Sequence, residues 1–367
     1  MTSEKKSSIR VLVVDDSYFM RKILSEMLSD SDGSVTVLDT AQNGLEAVEK
    51  NKSLKPDVIT MDVEMPKMDG LSALERIMKE NPTPVVMLST HTGKGTETTI
   101  RALELGAVDC VGKPAGRLLE NVRSVQGELI EKIKLASLCR VRYREAGEGR
   151  PGAELLVEKG VSGTEPKEKR EQPKPATFIV AVASSTGGPR ALNEFFSKFR
   201  WNPSVAVVVV QHISVGFTKA LAKRLDEVSD LEVSEAKEGE YLMGGHAYVA
   251  PGGTHLVLEG SVGCFRFAFN DQPPRLGVKP SADIMMGSVA KLAAGRCLGV
   301  VLTGMGRDGT AGLKEIKAAG GKTFAQDEKS CVVYGMPKAA MDAGVVDKQL
   351  TLERMAEEVG SLSNRPK

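Results

Sequence analysis

The 367-residue chain lacks any apolar run long enough to span a bilayer, and its opening, MTSEKKSS, leads into only a short apolar stretch. A secretory leader or membrane span would need a longer one, so a cytoplasmic protein without membrane insertion is expected. Cysteine is scarce and scattered: Cys110, Cys139, Cys264, Cys297 and Cys331 are odd in number and form no C-x-x-C pair. That excludes a recognisable disulfide framework or zinc site and suits a reducing compartment. An excess of one charge is missing too. Forty-nine basic against 48 acidic residues leave a net charge of +1, with no hint of a nucleic-acid surface or an acidic substrate. What remains, 41% apolar and 26% charged residues, is ordinary globular composition at about two domains' length.

Residues 9 to 139 alternate short apolar runs with amphipathic ones. The runs IRVLVV, SVTVLDT, DVITM, PVVMLS and AVDCVG read as strands, with helical patterns around Arg21–Leu28, Leu45–Glu49, Leu71–Lys79, Thr98–Leu105 and Leu118–Leu138. Strands joined by helices predict a parallel sheet covered on both faces, with its chemistry at the carboxyl ends of the strands. There stand Asp15 and Asp16 after the first run, Asp62 after the third, Ser89 and Thr90 after the fourth, and Lys113 after the fifth. A single acid at a strand end is usually a turn former. Three converging carboxylates repel one another unless they share a cation, and hard oxygen donors suit Mg2+.

This constellation, with MDVEMPKMDG and VGKP, resembles the receiver domain of two-component response regulators over roughly residues 8 to 135. The resemblance implies a flavodoxin-like fold with Asp62 as phosphoacceptor. It implies that Asp15, Asp16, Asp62 and the backbone carbonyl of Glu64 arrange Mg2+, that Ser89 senses the phosphoryl group and that Lys113 pairs with it. Cys110 stands three residues before the lysine, where many receivers carry an aromatic switch residue, so an aromatic flip is not expected here.

Periodicity then disappears. The segment YREAGEGRPGAELLVEKGVSGTEPKEKREQPKPA is rich in Glu, Lys, Gly and Pro, and reads as a flexible connector apart from the small apolar knot at 155–157. No DNA- or RNA-binding signature follows it.

The second half is organised around FIVAVASSTGGP, Phe178 to Pro189. An apolar strand stops at hydroxyls and glycines, and a helical pattern, RALNEFFSKF, begins. The strand would fix a hydroxyl, and the helix start would present unpaired N–H groups to developing negative charge. A plain Ser/Thr cap with a glycine turn reads the same residues. Ala183 stands where a G-x-S-x-G elbow would need glycine. Further on, VAVVVV runs into Gln211-His212, and CLGVVLT runs into Gly304-Met305-Gly306-Arg307-Asp308-Gly309 before AGLKEIKAAG. YVAPGGTHLVLEG reads as a hairpin across Pro-Gly-Gly, and FRFAF adds a further strand. A serine, a histidine and an aspartate thus each follow an apolar strand, the arrangement a hydroxyl nucleophile, its base and an orienting carboxylate require.

Among competitors, His91 belongs to the first unit, while His246 and His255 flank the hairpin as local hydrogen-bonding residues. Asp283 sits near a helix start, as a cap would. The loop from Gly304 to Gly309 also fits G-x-G-x-x-G between a strand and a helix, with Asp327 about twenty residues on, as a dinucleotide site would have it. Asp308 would, however, put a carboxylate in a pyrophosphate turn. A non-enzymatic adaptor with a receiver switch is a third reading.

Taken together, ASSTGGP, VVVVQHI, YVAPGGTH, KPSADIMM, LTGMGRDG and AQDEKSCVVYGMP resemble the chemotaxis protein-glutamate methylesterase/glutamine deamidase family over nearly the whole chain. The resemblance implies a receiver over 1–135, a linker over 136–175 and an α/β catalytic domain with an antiparallel hairpin over 176–360. It implies Ser185 as nucleophile, His212 as base, Asp308 as its orienter, and Thr186 and the backbone N–H of Met305 beside the oxyanion. Mg2+ would serve receiver phosphorylation alone, the ester chemistry needing no cofactor. The implied partners are methyl-accepting chemotaxis receptors as substrate and a chemotaxis histidine kinase as phosphodonor, the protein working as a monomer recruited to receptor clusters. Where the family usually has GAS, this chain has ASS, an extra hydroxyl at Ser184.

Overall fold

The computed structural model describes residues 8–29, 33–89, 93–113, 118–139 and 173–363. Most of the expected linker, with its apolar knot, lies outside the described residues, as do Thr90 and His91. No helix among the described residues is long and apolar enough to cross a membrane.

The first unit has strands β1 (Ile9–Val14), β2 (Val35–Ala41), β3 (Val58–Asp62), β4 (Val85–Ser89) and β5 (Asp109–Gly112). Between and after them run α1 (Tyr18–Ser29), α2 (Gly44–Leu54), α3 (Gly70–Glu80), α4 (Gly93–Leu105) and α5 (Leu118–Ala136). The strands are parallel in the order β2-β1-β3-β4-β5. Alternate residues serve opposite faces: Leu12 and Val14 join one apolar cluster, Val11 and Val13 another. Helix α3 shows how locally the sequence decides. Asp69 accepts the Ser72 N–H at 2.7 Å as its cap, and Ala73, Leu74, Ile77 and Met78 form its buried stripe. The strand order reverses at β1, so Asp15 and Asp62 meet at the switch point.

The second unit runs β6 (Phe178–Ser184), α6 (Gly188–Lys198), β7 (Val205–Gln211), α7 (Thr218–Val228), β8 (Glu232–Glu235), β9 (His246–Val249), β10 (His255–Ser261) and β11 (Cys264–Asn270). It continues through α8 (Ala282–Leu292), β12 (Cys297–Val301), α9 (Thr310–Ala318), β13 (Lys322–Gln326), α10 (Met336–Asp342), β14 (Lys348–Leu350) and α11 (Leu352–Ser363). Seven strands form one sheet in the order β14-β13-β12-β6-β7-β9-β8, every neighbouring pair parallel. One face packs under α6, α7 and α11, the other under α8, α9, α10 and the β10–β11 ribbon. Leu192, Phe195 and Phe196 of α6, with Phe199 just past its end, are buried at helical spacing, and the Phe195 ring meets those of Phe196 and Phe199 edge to face.

The hairpin is not where the Pro-Gly-Gly turn pointed. β9 pairs in parallel with β7 and β8, whereas β10 pairs antiparallel with β11, from His255 opposite Asn270 to Ser261 opposite Cys264. The segment around Pro251-Gly252-Gly253 therefore carries the chain from one sheet to another. FRFAF, read as an extra strand, is the true partner of HLVLEG.

The two units pack together. Glu104 of α4 accepts Arg224 Nε of α7 at 2.7 and 3.0 Å and also takes the Asn193 amide of α6. Lys223 meets Glu97 at 2.8 Å, and one apolar cluster continues from the first sheet into the second.

Gly70 tests the first unit's close packing, because a Cβ there would lie 2.1 Å from the Asp62 carbonyl oxygen. Gly70→Ala should destabilise this unit by about 2 kcal/mol, read as a lower urea midpoint for its unfolding. An unchanged midpoint would contradict the packing described.

Candidate active site

Strands β12, β6 and β7 lie side by side, and the three residues singled out by sequence follow their carboxyl ends. Ser185 leaves β6 with its N–H on Thr303 O at 3.0 Å, while its carbonyl takes the Gly188 N–H at 2.7 Å. That turn opens α6, and Gly187 makes it possible: φ is +76°, and a Cβ there would meet Val332 at 2.5 Å. His212 follows β7 with its N–H on Ser184 O at 2.9 Å.

A residue the sequence reading passed over binds the two strand ends together. Gln211 is buried, and its Nε2 donates to Ser185 O at 2.8 Å and to His212 O at 2.9 Å. Its Oε1 accepts the Ser184 hydroxyl at 2.6 Å, which gives the extra hydroxyl of ASS a partner. The only signal in sequence was an uncharged polar residue closing a fully apolar strand.

Asp308 lies behind His212, with Oδ2 2.9 Å from His212 Nε2. Both side chains are nearly enclosed, at 3% and 11% exposure. A buried carboxylate needs donors, and the start of α8 supplies them. Ser281 Oγ donates to Oδ1 at 2.7 Å, Ala282 N to Oδ2 at 2.6 Å and Asp283 N to Oδ1 at 3.1 Å. Ser281 stands at the N-cap of α8 but makes no cap bond of its own; Asp308 caps that helix from another part of the chain. Burial alone would push the Asp308 carboxyl up. The His212 hydrogen bond and charge, with Ser281 and Ala282, outweigh burial and hold it below the ordinary range. An ionised Asp308 can only accept, so His212 Nε2 is the donor in this bond.

Asp283 is a cap, as read, but of a different helix: Oδ1 accepts Gly309 N at 2.9 Å and Gly312 N at 2.8 Å at the start of α9. Burial raises its pKa, helped by the charge of Asp308. The dinucleotide reading fails here. The carboxylate inside Gly304–Gly309 is bonded to α8, and Asp327 is engaged by Ser330.

Ser185, Thr186, His212, Met305 and Asp308 all line a cavity of about 1200 Å³, and its far wall is the first unit, with Asp109, Lys113 and Lys132. Met305 lines the cavity from the second unit and is half-exposed, and the carbonyl of Gly304 before it takes the N–H groups of Gly335 and Met336. The Thr186 hydroxyl donates to Asp109 Oδ2 across the boundary at 2.7 Å. Asp109 Oδ1 pairs with Lys132 Nζ at 3.0 Å, and Lys132 pairs with Glu128 at 2.9 Å. Glu128 accepts Ser214 Oγ at 2.9 Å, two residues past His212. Burial works against the Lys132 charge, but Asp109, Cys110 and Glu128 raise its pKa. This chain of groups spans both units and had no signal in sequence.

At the first unit's own strand ends, oxygens of Asp15, Asp16 and Asp62 lie within 4.8 Å of one another, a hard donor set of the size Mg2+ takes. Lys113 Nζ is 2.7 Å from Asp15 Oδ2 and 2.7 Å from Asp62 Oδ1. Burial pushes the Asp62 carboxyl above its ordinary value, Lys113 pulls it back and Asp15 adds to the push. Burial opposes the Lys113 charge as well, but its two carboxylate bonds prevail and raise its pKa. Ser89 is buried, with Oγ on Gly95 O at 3.1 Å. Glu64 is exposed just past β3. Cys110 is wholly buried, and burial pushes its thiol up to about 12.

A family model described as CheB methylesterase matches residues 180–359, and one described as response regulator receiver domain matches residues 11–123. The protein-glutamate methylesterase/protein-glutamine glutaminase of Pyrococcus abyssi is 46% identical over 352 residues, which span 96% of this chain and 92% of its own. That of Bacillus subtilis is 43% identical over 357 residues, 96% of this chain and 98% of its own. The crystal structure of the Thermotoga maritima CheB methylesterase catalytic domain is 38% identical and covers 50% of this chain and 98% of its own, at a TM-score of 0.49.

Calorimetric titration with Mg2+ checks the carboxylate cluster. The wild type should bind the ion, and Asp15→Asn or Asp62→Asn should weaken binding about tenfold or more. Unchanged affinity would remove these carboxylates from a metal role.

Proposed function

We propose, since the chain belongs to the CheB methylesterase family and is a protein-glutamate methylesterase/protein-glutamine glutaminase with a receiver domain, that it acts on cytoplasmic methylation sites of chemoreceptors through Ser185, His212 and Asp308. The observation that carries this reading is the His212–Asp308 pair at 2.9 Å beside Ser185, past three adjacent parallel strands. With Nε2–H held by Asp308, Nδ1 of His212 takes the proton as Ser185 Oγ attacks the ester carbonyl carbon. The N–H of Met305 and those at the start of α6 face the developing oxyanion. His212 returns the proton to the departing methoxide, so methanol leaves and a glutamyl-serine ester remains. Water attacks that ester, His212 takes its proton, and Ser185 is regenerated as the glutamyl carboxylate departs. A glutamine side chain follows the same route and releases ammonia.

Control of this reaction would lie at Asp62, phosphorylated by a chemotaxis histidine kinase. Asp15, Asp16, Asp62 and the Glu64 carbonyl would hold Mg2+, which when bound neutralises charge between carboxylate and phosphodonor. The receiver covers the cavity that contains Ser185 and captures the neighbouring Thr186 hydroxyl through Asp109. Lys113, whose partners would change on phosphorylation, directly follows the strand that Asp109 begins. A shift of β5 can therefore loosen the covering contact. Tenfold activation needs only about 1.4 kcal/mol of difference between docked and open forms.

Two outcomes are expected. Ser185→Ala and His212→Ala should each remove nearly all methanol release from methylated receptors, and the double variant should be little worse than either, since the groups act as a unit. Wild-type turnover by Ser185→Ala would sink the assignment. Arg224→Glu, which sets like charges against Glu104 and Glu227, should raise the activity of the unphosphorylated chain several-fold and shrink its response to an acyl phosphate. If basal release does not rise, the docked receiver is not what restrains the enzyme.

A further inference from the structure

His255 opens β10 and is wholly buried, remote in sequence from the groups that would react. Its two ring nitrogens have fixed and opposite roles. Nδ1 lies 3.0 Å from the Ser281 backbone nitrogen, which can only donate. Nε2 lies 3.2 Å from the Pro273 carbonyl oxygen, which can only accept. The imidazole is therefore neutral, with its hydrogen on Nε2. The Ser281 N–H that it receives belongs to the residue whose hydroxyl donates to Asp308 and whose next two N–H groups do the same. The β10–β11 ribbon is itself seated on α8, with the Leu258 N–H on Ser288 Oγ at 3.0 Å. A buried N–H deprived of its acceptor turns towards another, and here that rotation would carry the Ser281 hydroxyl and the start of α8 with it.

We infer that His255 is a positioning residue for the ester chemistry: by accepting the Ser281 N–H it holds the start of α8 where three donors fix the Asp308 carboxylate against His212. The inference rests on the reading of Ser185, His212 and Asp308 given above. It goes beyond that reading in making a second histidine, which touches neither substrate nor reacting atoms, set the basicity of the first. Without it Asp308 loses donors, its carboxylate becomes more basic, and it holds the imidazolium form of His212 more strongly.

Substitutions of different shape separate the two ring nitrogens. The amide oxygen of His255→Asn falls near Nδ1 and can still accept the Ser281 N–H. His255→Gln places its amide near Nε2 and cannot, and His255→Leu offers neither group. The full-length chain, activated with an acyl phosphate, is assayed for methanol release from methylated chemoreceptor membranes, with Ser185→Ala as control. The His212 ring is followed separately through its nitrogen-15 resonances as pH is varied. His255→Asn should keep kcat within a few-fold of wild type, whereas Gln and Leu should lose about tenfold or more in kcat at unchanged KM. In those two variants His212 should titrate at higher pH than in wild type, and in the Asn variant at the wild-type pH. If Asn and Gln behave alike, or His212 titrates identically in every folded variant, the inference is overturned. Should the Leu variant not fold, the Asn and Gln pair decides. If Ser185→Ala stays active, the nucleophile assignment fails instead, and the His212 titration still decides the role of His255.

Discussion

A buried negative charge must be answered by donors wherever it is put, and much of the catalytic unit is arranged to answer the one on Asp308. The answering groups come from distant parts of the chain: an imidazole after β7, and a hydroxyl and two amides at the start of α8. Bringing them together requires β12 beside β6, β6 beside β7, and α8 laid across the opposite face from α6. Because a helix terminus has unpaired N–H groups in any case, Asp308 also caps α8, and the proposed catalytic geometry and helix stability share one contact. Asp283 does the same for α9, so the two aspartates lock α8, α9 and the loop between β12 and α9 into one frame.

The receiver repeats this economy with the opposite sign at the centre. Lys132 is a half-buried cation answered by Asp109 and Glu128, and those two carboxylates in turn hold Thr186 and Ser214 of the catalytic unit. Each contact lies within two residues of a proposed catalytic group. Removing one member of such a network leaves a charge unanswered, so the interface holds or lets go as a unit instead of fraying.

How much of this was legible before the structure depends on whether the signal was local. Buried parallel strands are unbroken apolar runs, so β1, β6, β7 and β12 stand out, and the polar residues that end them mark the edges where chemistry sits. The caps of α2 and α3, Asn43 and Asp69, are local in the same way. The hairpin was misread because a Pro-Gly-Gly turn announces a reversal without saying which strand will pair; β7 and β8 claim β9 through long-range parallel ladders. Gln211, Ser281 and Asp109 were invisible for a related reason. Their partners lie 26, 27 and 77 residues away, and nothing nearby in the sequence records a contact at that separation.

Covering the cavity with a domain of the same chain has a consequence for concentration. Closure is unimolecular, so the balance between covered and open forms does not depend on how much protein is present. An inhibitor supplied as a separate chain would dissociate on dilution and leave basal activity that varied with expression level. Here every molecule carries its own cover in a fixed one-to-one ratio. If the docked first unit restrains the enzyme as proposed, the fraction of open enzyme is an intensive property of the molecule, and a cell that makes twice as much protein would double its basal and its stimulated activity together, leaving their ratio unchanged.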